Sequence, residues 1–265
     1  MTGYEPRWYR EELHRTELSP FVVRFRETDL WVAVPPEKDT PALRRLCQVT
    51  AATLWQELHD YILTDPRFYH SLVPYLPRFG CPPVAARMAA AAEKAGVGPM
   101  AAVAGAFAEE IALVLARRFS LTDIIVENGG DIYLASTVPR RIAVWAGNSP
   151  LSGKIALDIA PDLSPLGICT SSATVGPSLS LGKADAVTIL ARDTATADAF
   201  ATAVGNQVRT AADIESALVF AAEQPDILGC LIIIGDHLGA IGRIRLAPLA
   251  DSVPINTAKK GCRPC

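Results

Sequence analysis

A carboxylate and a hydroxyl lie four residues apart in the segment Ala-Asp-Ala-Phe-Ala-Thr-Ala at 197–203. If this segment is helical, the spacing places Asp198 and Thr202 on one face. Their oxygens are ligands that a hard cation such as Mg²⁺ accepts, with positions left for water or phosphate. The alternative is a buried alanine-rich helix in which Asp198 caps a terminus and Thr202 bonds to the preceding turn.

Two further segments carry groups that could surround a phosphate. One is a glycine pair between two strand-like runs, and the other is a hydroxyl cluster directly after a predicted strand. A turn with two glycines exposes backbone N–H groups, and hydroxyls can ring a phosphate. The alternative is a tight turn and an ordinary polar loop. The two segments are Asn128, Gly129, Gly130 and Asp131, and Thr170, Ser171 and Ser172.

The elements that must position these residues are predicted by hydrophobic periodicity. A hairpin is predicted at 21–34, a long amphipathic helix at 40–63, a short helix at 85–94 and a long apolar helix from about Pro99 to Arg117. The later elements are strands at 124–126, 132–134, 141–145, 154–159, 167–170, 186–191, 230–234 and 239–244, and helices beginning near Thr194 and Ala211. Strands interleaved with long helices predict a layered α/β (α+β) fold with mixed β-sheets.

Composition restricts the class of protein. The chain has 265 residues, of which 50% are hydrophobic and 20% charged, as in globular proteins. A formal charge of −3 argues against general nucleic-acid binding. The N-terminus lacks the apolar core of a signal peptide, and the apolar run from Met100 to Leu115 is interrupted by Glu109 and Glu110. We therefore expect a soluble, cytoplasmic protein with no membrane partner.

The cysteines fall into two groups. Cys47, Cys81, Cys169 and Cys230 occur singly and are predicted to be small core residues, as expected in a reducing compartment. Cys262 and Cys265 form a Cys-x-x-Cys pair beside three positive charges, which would favour thiolates. A zinc site there would need ligands from elsewhere. The alternatives are a redox or metal function for this pair, or a flexible tail at 256–265 with incidental thiols.

Taken in order, the motifs resemble those of the ApbE flavin transferases. The segments are the small-residue run 98–108, the Asn-Gly-Gly-Asp turn, the Thr-Ser-Ser cluster and the Ala-Asp-Ala-Phe-Ala-Thr-Ala segment. The similarity covers about residues 98–205 and is greatest to an ApbE-related branch known mainly from bacteria and archaea. Enzymes of the family bind FAD and use Mg²⁺ to transfer FMN to a threonine of a target protein. The resemblance therefore implies an ApbE-like layered fold, FAD or FMN, and Mg²⁺.

The resemblance also implies roles for individual residues. The 128–131 turn is similar to the Gly-Gly-acidic turn at the flavin nucleotide, and 170–172 to a Thr-Ser-Gly element, with Ser172 in place of glycine. Asp198 and Thr202 correspond to metal ligands. The backbone carbonyl of Ala104 corresponds to a third.

Two departures from the family pattern bear on the chemistry. The stretch 173–185 contains no counterpart of the family's His-x-x-Asp-Pro-x-Thr-Gly segment, and Gly105 replaces a lysine. We expect one ApbE-like domain over 1–265, with an N-terminal hairpin and helix in 1–83, that binds a flavin or related nucleotide. The missing histidine argues against FMN transfer. The alternative function is a non-catalytic binding or assembly module. Both functions are compatible with an acceptor protein or redox partner and with a homo-oligomer.

Overall fold

The computed structural model describes residues 17–173 and 181–249. In these ranges the α-helices are α1 (Pro41–Thr64), α2 (Pro66–His70), α3 (Pro83–Ala95), α4 (Val103–Phe119), α5 (Thr194–Gly205) and α6 (Ile214–Ala222). The strands are β1 (Ser19–Phe25), β2 (Thr28–Val34), β3 (Ile124–Asn128), β4 (Asp131–Ala135), β5 (Arg140–Ala143), β6 (Ile155–Ile159), β7 (Leu166–Ser171), β8 (Ala186–Ala191), β9 (Ile227–Ile234), β10 (His237–Gly242) and β11 (Leu246–Pro248). The tail at 256–265, with Cys262 and Cys265, lies outside the described residues.

The strands form two sheets. Eight strands pair in the order β1-β2-β3-β4-β7-β8-β9-β10, and three pair in the order β11-β6-β5. The predicted α+β class is confirmed. The expectation of mixed sheets is wrong in one respect, because every strand pair in the described ranges is antiparallel. Between β8 and β9, for example, two helices connect the strands instead of one. The chain therefore returns to the end of the sheet at which β8 finished, and β9 runs antiparallel to β8.

The sheets and helices form three layers with apolar contacts between them. Helices cover one face of the large sheet, and the small sheet covers the other. On the helix side, Val126 and Tyr133 pack with Leu43 and Ile111, while Ile189 and Cys230 join Met88 and Phe200. On the opposite side, large-sheet residues meet Ile142, Val144, Leu157 and Ile159 of the small-sheet layer. Successive residues of a strand therefore serve different layers.

Most predicted elements are present with small differences at their ends. The predicted helix at 40–63 is α1, which begins at Pro41 after an N-cap hydrogen bond from Leu43 N to Thr40 Oγ1. The predicted helix from Pro99 begins as the 3-10 turn Pro99–Ala102 before α4. Strand β11 was not predicted, because it has three residues and contains a proline, which an edge strand tolerates.

Within residues 17–173 and 181–249, one helix has the length and composition to cross a membrane. The segment Pro99–Phe119 meets both criteria, and 56% of its most apolar window is buried inside the protein. Of the two acidic residues that interrupt the apolar run, Glu109 is buried and Glu110 is half-buried. Both form ion pairs with Arg87. This helix is therefore accounted for as a core helix of the fold.

The singly occurring cysteines are thiols without disulfide partners. Cys47, Cys169 and Cys230 are buried, and Cys81 is partly exposed. Burial raises the pKa of Cys47 and Cys230 to about 12, because the thiolate would lose its hydration. The prediction that these residues fill the core is confirmed for the three buried ones.

Asp123 joins the two sheets at the start of β3. Its carboxylate accepts hydrogen bonds from Ser136 Oγ (2.9 Å), Thr137 N (3.0 Å) and Thr137 Oγ1 (2.9 Å), and it forms an ion pair with Arg140 (3.3 Å). Burial alone would raise the pKa of Asp123, but the hydrogen bonds from Thr137 and Ser136 lower it to about 2. The connection between β4 and β5 is thus fixed by an ionised carboxylate.

This carboxylate predicts an acid-sensitive stability. The pKa of Asp123 in the folded protein lies below the unfolded value of roughly 3.9, so its stabilisation is present above that value and is lost as the pH falls towards 2. We expect Asp123→Asn to lower the free energy of unfolding at pH 7 by about 1–2 kcal/mol, and to flatten its decline between about pH 5 and pH 3. Urea unfolding over this range measures both effects. Asp226→Asn, which removes an exposed ion pair with Lys94, should change neither by more than about 0.5 kcal/mol.

Candidate functional site

The site forms where α4 and α5 approach each other closely. A Cβ atom at Gly105 would lie 2.4 Å from the carbonyl oxygen of Thr194 and 2.8 Å from Cβ of Asp198. A Cβ atom at Gly167 of β7 would lie 2.6 Å from Cα of Thr194. Glycine at these two positions therefore lets α5 lie against both α4 and the sheet. The lysine that the family pattern has in place of Gly105 has no space here.

Each of the two helices caps the N-terminus of the other. Ala102 precedes α4 and offers no capping side chain, and Asp198 Oδ2 accepts the hydrogen bond of Gly105 N at 2.9 Å instead. In return, Glu109 Oε2 of α4 accepts a hydrogen bond of 2.7 Å from the backbone N–H of Thr194, the first residue of α5. The first N–H groups of a helix have no partner within the helix, and a carboxylate there also faces the positive end of the dipole. The alternative role of Asp198 as a cap is therefore real, but it caps a neighbouring helix.

A second carboxyl group, that of Asp131, faces the same region. Asp131 is buried, and its Oδ1 atom has no hydrogen-bond partner among the described residues. Burial, and then the nearby charge of Asp198, raise the pKa of Asp131 well above its usual value, while the Cys169 thiol and the Thr170 N–H act in the opposite direction. Burial also raises the pKa of Asp198 to about 7, against the lowering effect of the N–H groups of Gly105 and Ala104. The environment of these two carboxyl groups therefore disfavours their ionised forms.

The remaining predicted cation ligands lie around this pair. Asn128 Nδ2 donates a hydrogen bond of 3.2 Å to the Ala104 carbonyl oxygen, which links the 128–131 turn to the start of α4. Thr202 is one turn beyond Asp198 on α5 and, like Ala104, is half-buried. In the described part of the chain, no group of three or more His, Cys, Asp or Glu side chains could hold a metal. A cation here would therefore rely on carboxylate, carbonyl and hydroxyl oxygens, which suit Mg²⁺ better than zinc.

The glycine pair is the loop of the β3–β4 hairpin. Asn128 pairs with Asp131, and Gly129 and Gly130 between them have φ of 72° and 106°. A two-residue hairpin loop with positive φ at both positions favours glycine, so the tight-turn alternative is sufficient to explain the pair. The Gly130 N–H already donates a 2.8 Å hydrogen bond to Glu127 Oε1.

A cavity of about 150 Å³ lies between the two sheets beneath this hairpin. Its polar and aromatic lining comprises Trp31, Glu127, Arg140, Arg141, Trp145, Thr170, Ser172 and Thr188. Its apolar walls include Ile125, Ile132, Ile142, Leu157 and Ile168. The hydroxyls of Thr170 and Thr188 lie 2.8 Å apart. Small-molecule pockets usually measure about 300–1,000 Å³, so this cavity has room for a ring or a sugar and not for a whole dinucleotide.

The predicted residues are thus divided between two faces of the large sheet. Asp131 and Asn128 face the helices with Ala104 and Asp198, and Ser171 also lies on that side, 3.6 Å from a Cβ placed at Gly205. The glycine pair, Thr170 and Ser172 line the cavity on the other side. Sequence reasoning missed Glu127, which is 2% exposed, and the two tryptophans. A charged residue directly after the apolar run 124–126, two positions before the glycine pair, was a signal for Glu127.

Comparison with known proteins places the chain in a family. A family model described as AbpE bacteria matches residues 10–227. The chain belongs to this AbpE family. A UPF0280 protein of Methanosphaerula palustris is 54% identical over 157 residues, which are 59% of this chain and 65% of that protein, or just under two thirds of its length. A UPF0280 protein of Methanocella arvoryzae is 42% identical over 202 residues, which are 75% of this chain and 80% of that protein.

Solved structures of ApbE proteins share the fold of this AbpE-family chain. The flavin transferase ApbE from Vibrio cholerae matches with a TM-score of 0.57 and 14% identity, covering 85% of this chain and 96% of that one. An ApbE protein from Thermotoga maritima matches with a TM-score of 0.55 and 13% identity, covering 84% and 96%. At this identity the likeness concerns the fold. The resemblance to the ApbE family and the ApbE-like architecture are therefore confirmed.

The close contact of α4 with α5 predicts that Gly105 cannot accept a side chain. We expect Gly105→Ala to lower the free energy of unfolding by about 1–3 kcal/mol, because its Cβ would overlap the Thr194 carbonyl. Gly205→Ala is the matched control, since its Cβ would have ordinary contacts at 3.6 Å or more and glycine is a poor helix former. Chemical denaturation of both variants tests this prediction, and equal stabilities would contradict the close contact.

Proposed function

We propose that this AbpE-family protein binds a flavin or a related nucleotide beside a divalent cation, Mg²⁺. Asp198, Thr202 and the Ala104 carbonyl would hold the cation, with Asp131 adding negative charge. The cation would supply positive charge to a phosphate. The Asn128–Asp131 hairpin and Thr170, Ser171 and Ser172 would contact the nucleotide. The Vibrio cholerae protein that shares this fold is a flavin transferase, which supports a flavin as the first ligand to test.

The observation that carries the proposal is the pair of acidic groups at Asp131 and Asp198. A buried carboxyl oxygen without a hydrogen-bond partner is costly, and two neighbouring carboxylates disfavour each other's ionisation. A divalent cation removes both costs. The Ala104 carbonyl and the Thr202 hydroxyl add neutral oxygens of the kind that Mg²⁺ accepts alongside water and phosphate.

The division of the site between two faces suits a ligand with two chemically different parts. The helix side offers carboxylates, the Ala104 carbonyl and the Thr202 hydroxyl for a cation, which would in turn hold a phosphate. The cavity side offers tryptophan rings and hydroxyls for a ring or sugar. The 128–131 hairpin belongs to both sides, because successive strand residues face opposite layers. A nucleotide lying across the hairpin end would use both.

Titration of the full chain with FAD, with Mg²⁺ and then with EDTA, tests this function by flavin fluorescence. We expect binding that Mg²⁺ strengthens at least about tenfold, equivalent to about 1.4 kcal/mol. Asp198→Asn keeps an oxygen for the Gly105 hydrogen bond but removes the charge, so it should abolish the Mg²⁺ effect without unfolding the protein. Asp236→Asn, at a side chain that is 78% exposed, should bind as wild type does. No FAD binding at about 100 µM, with or without Mg²⁺, would refute the proposal.

The second candidate function is a binding or assembly module without catalysis. It is favoured by the stretch 173–185, which has no histidine. Incubation with FAD, Mg²⁺ and a threonine-containing acceptor peptide should then yield no flavin-labelled product by mass spectrometry, even where FAD binds. Covalent attachment of FMN to the peptide would instead support transfer. A redox or metal function for Cys262 and Cys265 remains a prediction from the sequence alone.

A further inference from the structure

An extended segment after α2 exposes an unusual amount of apolar surface. In this apolar arm, residues 71–79, Leu72 and Val73 are 61% and 64% exposed, Leu76 is 89% exposed and Phe79 is fully exposed. Tyr69 just before it and Leu63 at the end of α1 are also more than half exposed. Scattered exposed hydrophobic residues are normal, but six large ones within seventeen consecutive positions form a patch.

The arm is held in place by polar contacts on its inner side. Asp65 is fully buried and accepts hydrogen bonds from Tyr75 Oη (3.0 Å) and Tyr61 Oη (3.1 Å). Arg78 donates to the Thr64 carbonyl (2.9 Å) and forms an ion pair with Asp65 (3.4 Å). Tyr75 and Arg78 therefore anchor the arm to Asp65 and to the end of α1, while its large apolar residues face solvent. The apolar surface is preorganised, because its backbone is anchored to the protein.

A second contact ties the arm to the segment that leads to Ala104. A Cβ atom at Gly98 would lie 1.8 Å from the Ser71 carbonyl oxygen and 2.9 Å from Cα of Leu72. Gly98 directly precedes the Pro99–Ala102 turn and α4. The arm therefore packs against the base of the helix that carries the candidate cation ligand.

We infer that the apolar arm is the contact surface of a homodimer, with a second copy of this chain as its occupant. Aromatic side chains have full areas of roughly 150–250 Å² each, and with a value near the lower end for the aliphatic ones the six together expose on the order of 700 Å². A standard stable interface buries about 800 Å² on each partner, and the largest patch of a typical monomer is smaller, about 300–600 Å². Together with Leu63 and Tyr69, the arm therefore exposes nearly the area that one protomer contributes to a dimer.

The chemistry of the patch favours a permanent partner over a transient one. Its large outward residues are Leu, Val, Phe and Tyr, while Arg78 is paired with Asp65 and the exposed Arg67 and His70 lie between the apolar residues. Permanent homodimer interfaces have this apolar character, whereas transient ones are about as polar as the rest of the surface. In a two-fold dimer the same patch meets itself, which a surface dominated by apolar side chains permits. This inference does not depend on nucleotide binding.

Sedimentation velocity and light scattering of the full chain, from about 1 to 100 µM, test the inference. We expect a dimer for the wild-type protein and a monomer for the double variant Leu76→Asp, Phe79→Asp. Its circular dichroism and melting temperature at low concentration should match those of the wild-type monomer, since both side chains already face solvent. Val49→Asp, at an apolar residue of α1 that is 52% exposed, is the matched control and should remain a dimer.

A wild-type protein that is monomeric up to 100 µM overturns the inference, as does a double variant that still dimerises like the control. The same assay on chains that lack residues 1–16 or 250–265 tests whether one of these segments, instead of a second copy, covers the arm. If the full chain is a monomer and either deletion makes it dimerise, that segment covers the arm and the homodimer is refuted. FAD titration of the monomeric variant keeps the two proposals separate, because loss of the dimer is expected to leave binding measurable.

Discussion

The contact of α4 with α5 is the constraint on which the rest of the site depends. Each helix begins with N–H groups that have no partner within the helix, and each obtains a carboxylate from the other for one of them, beside the cap that Asp193 provides at the start of α5. This exchange requires the two helices to lie closer than a side chain at position 105 allows, which explains Gly105, while Gly167 lets β7 approach Thr194 at the start of α5. Arg87 of α3 then neutralises the capping carboxylate of Glu109. The positions of Ala104 and Thr202 follow from this arrangement, because each lies on one of the two helices.

The β3–β4 hairpin connects this helix pair to the space between the sheets. Its two-residue loop fixes the register, so Asp131 must face the helices and Ile132 the small sheet. A shift of one residue would exchange the two and leave a carboxyl group among apolar residues. The Glu127 hydrogen bond to the Gly130 N–H holds the loop from the cavity side. The same short hairpin therefore orders both halves of the site.

The sequence is sufficient to predict the elements and most of the candidate residues, but not how they divide in space. Periodicity identifies α1 to within one residue at each end, because its apolar stripe and its Thr40 cap are local signals. The antiparallel order of the sheets depends on which strands pair across long connections, and no local pattern specifies that. The 128–131 and 170–172 motifs were predicted as one cluster, yet alternation along β4 and β7 sends their residues to opposite faces. Trp31 lines the cavity only because its strand, β2, pairs with β3, although the two strands are far apart in the sequence.

Asp198 is explained neither by capping alone nor by metal binding alone. A cap needs only an acceptor, and asparagine, serine or threonine would serve without placing charge in a site that raises the pKa of a carboxyl group to about 7. The N–H groups of Gly105 and Ala104 occupy at most two of the roughly four acceptor positions of a carboxylate. Asp131 nearby has no capping role, and its unpartnered Oδ1 lies in the same environment. The proposed cation between these groups would account for both acidic residues, and the cap would then orient Asp198 while leaving acceptor positions for the metal.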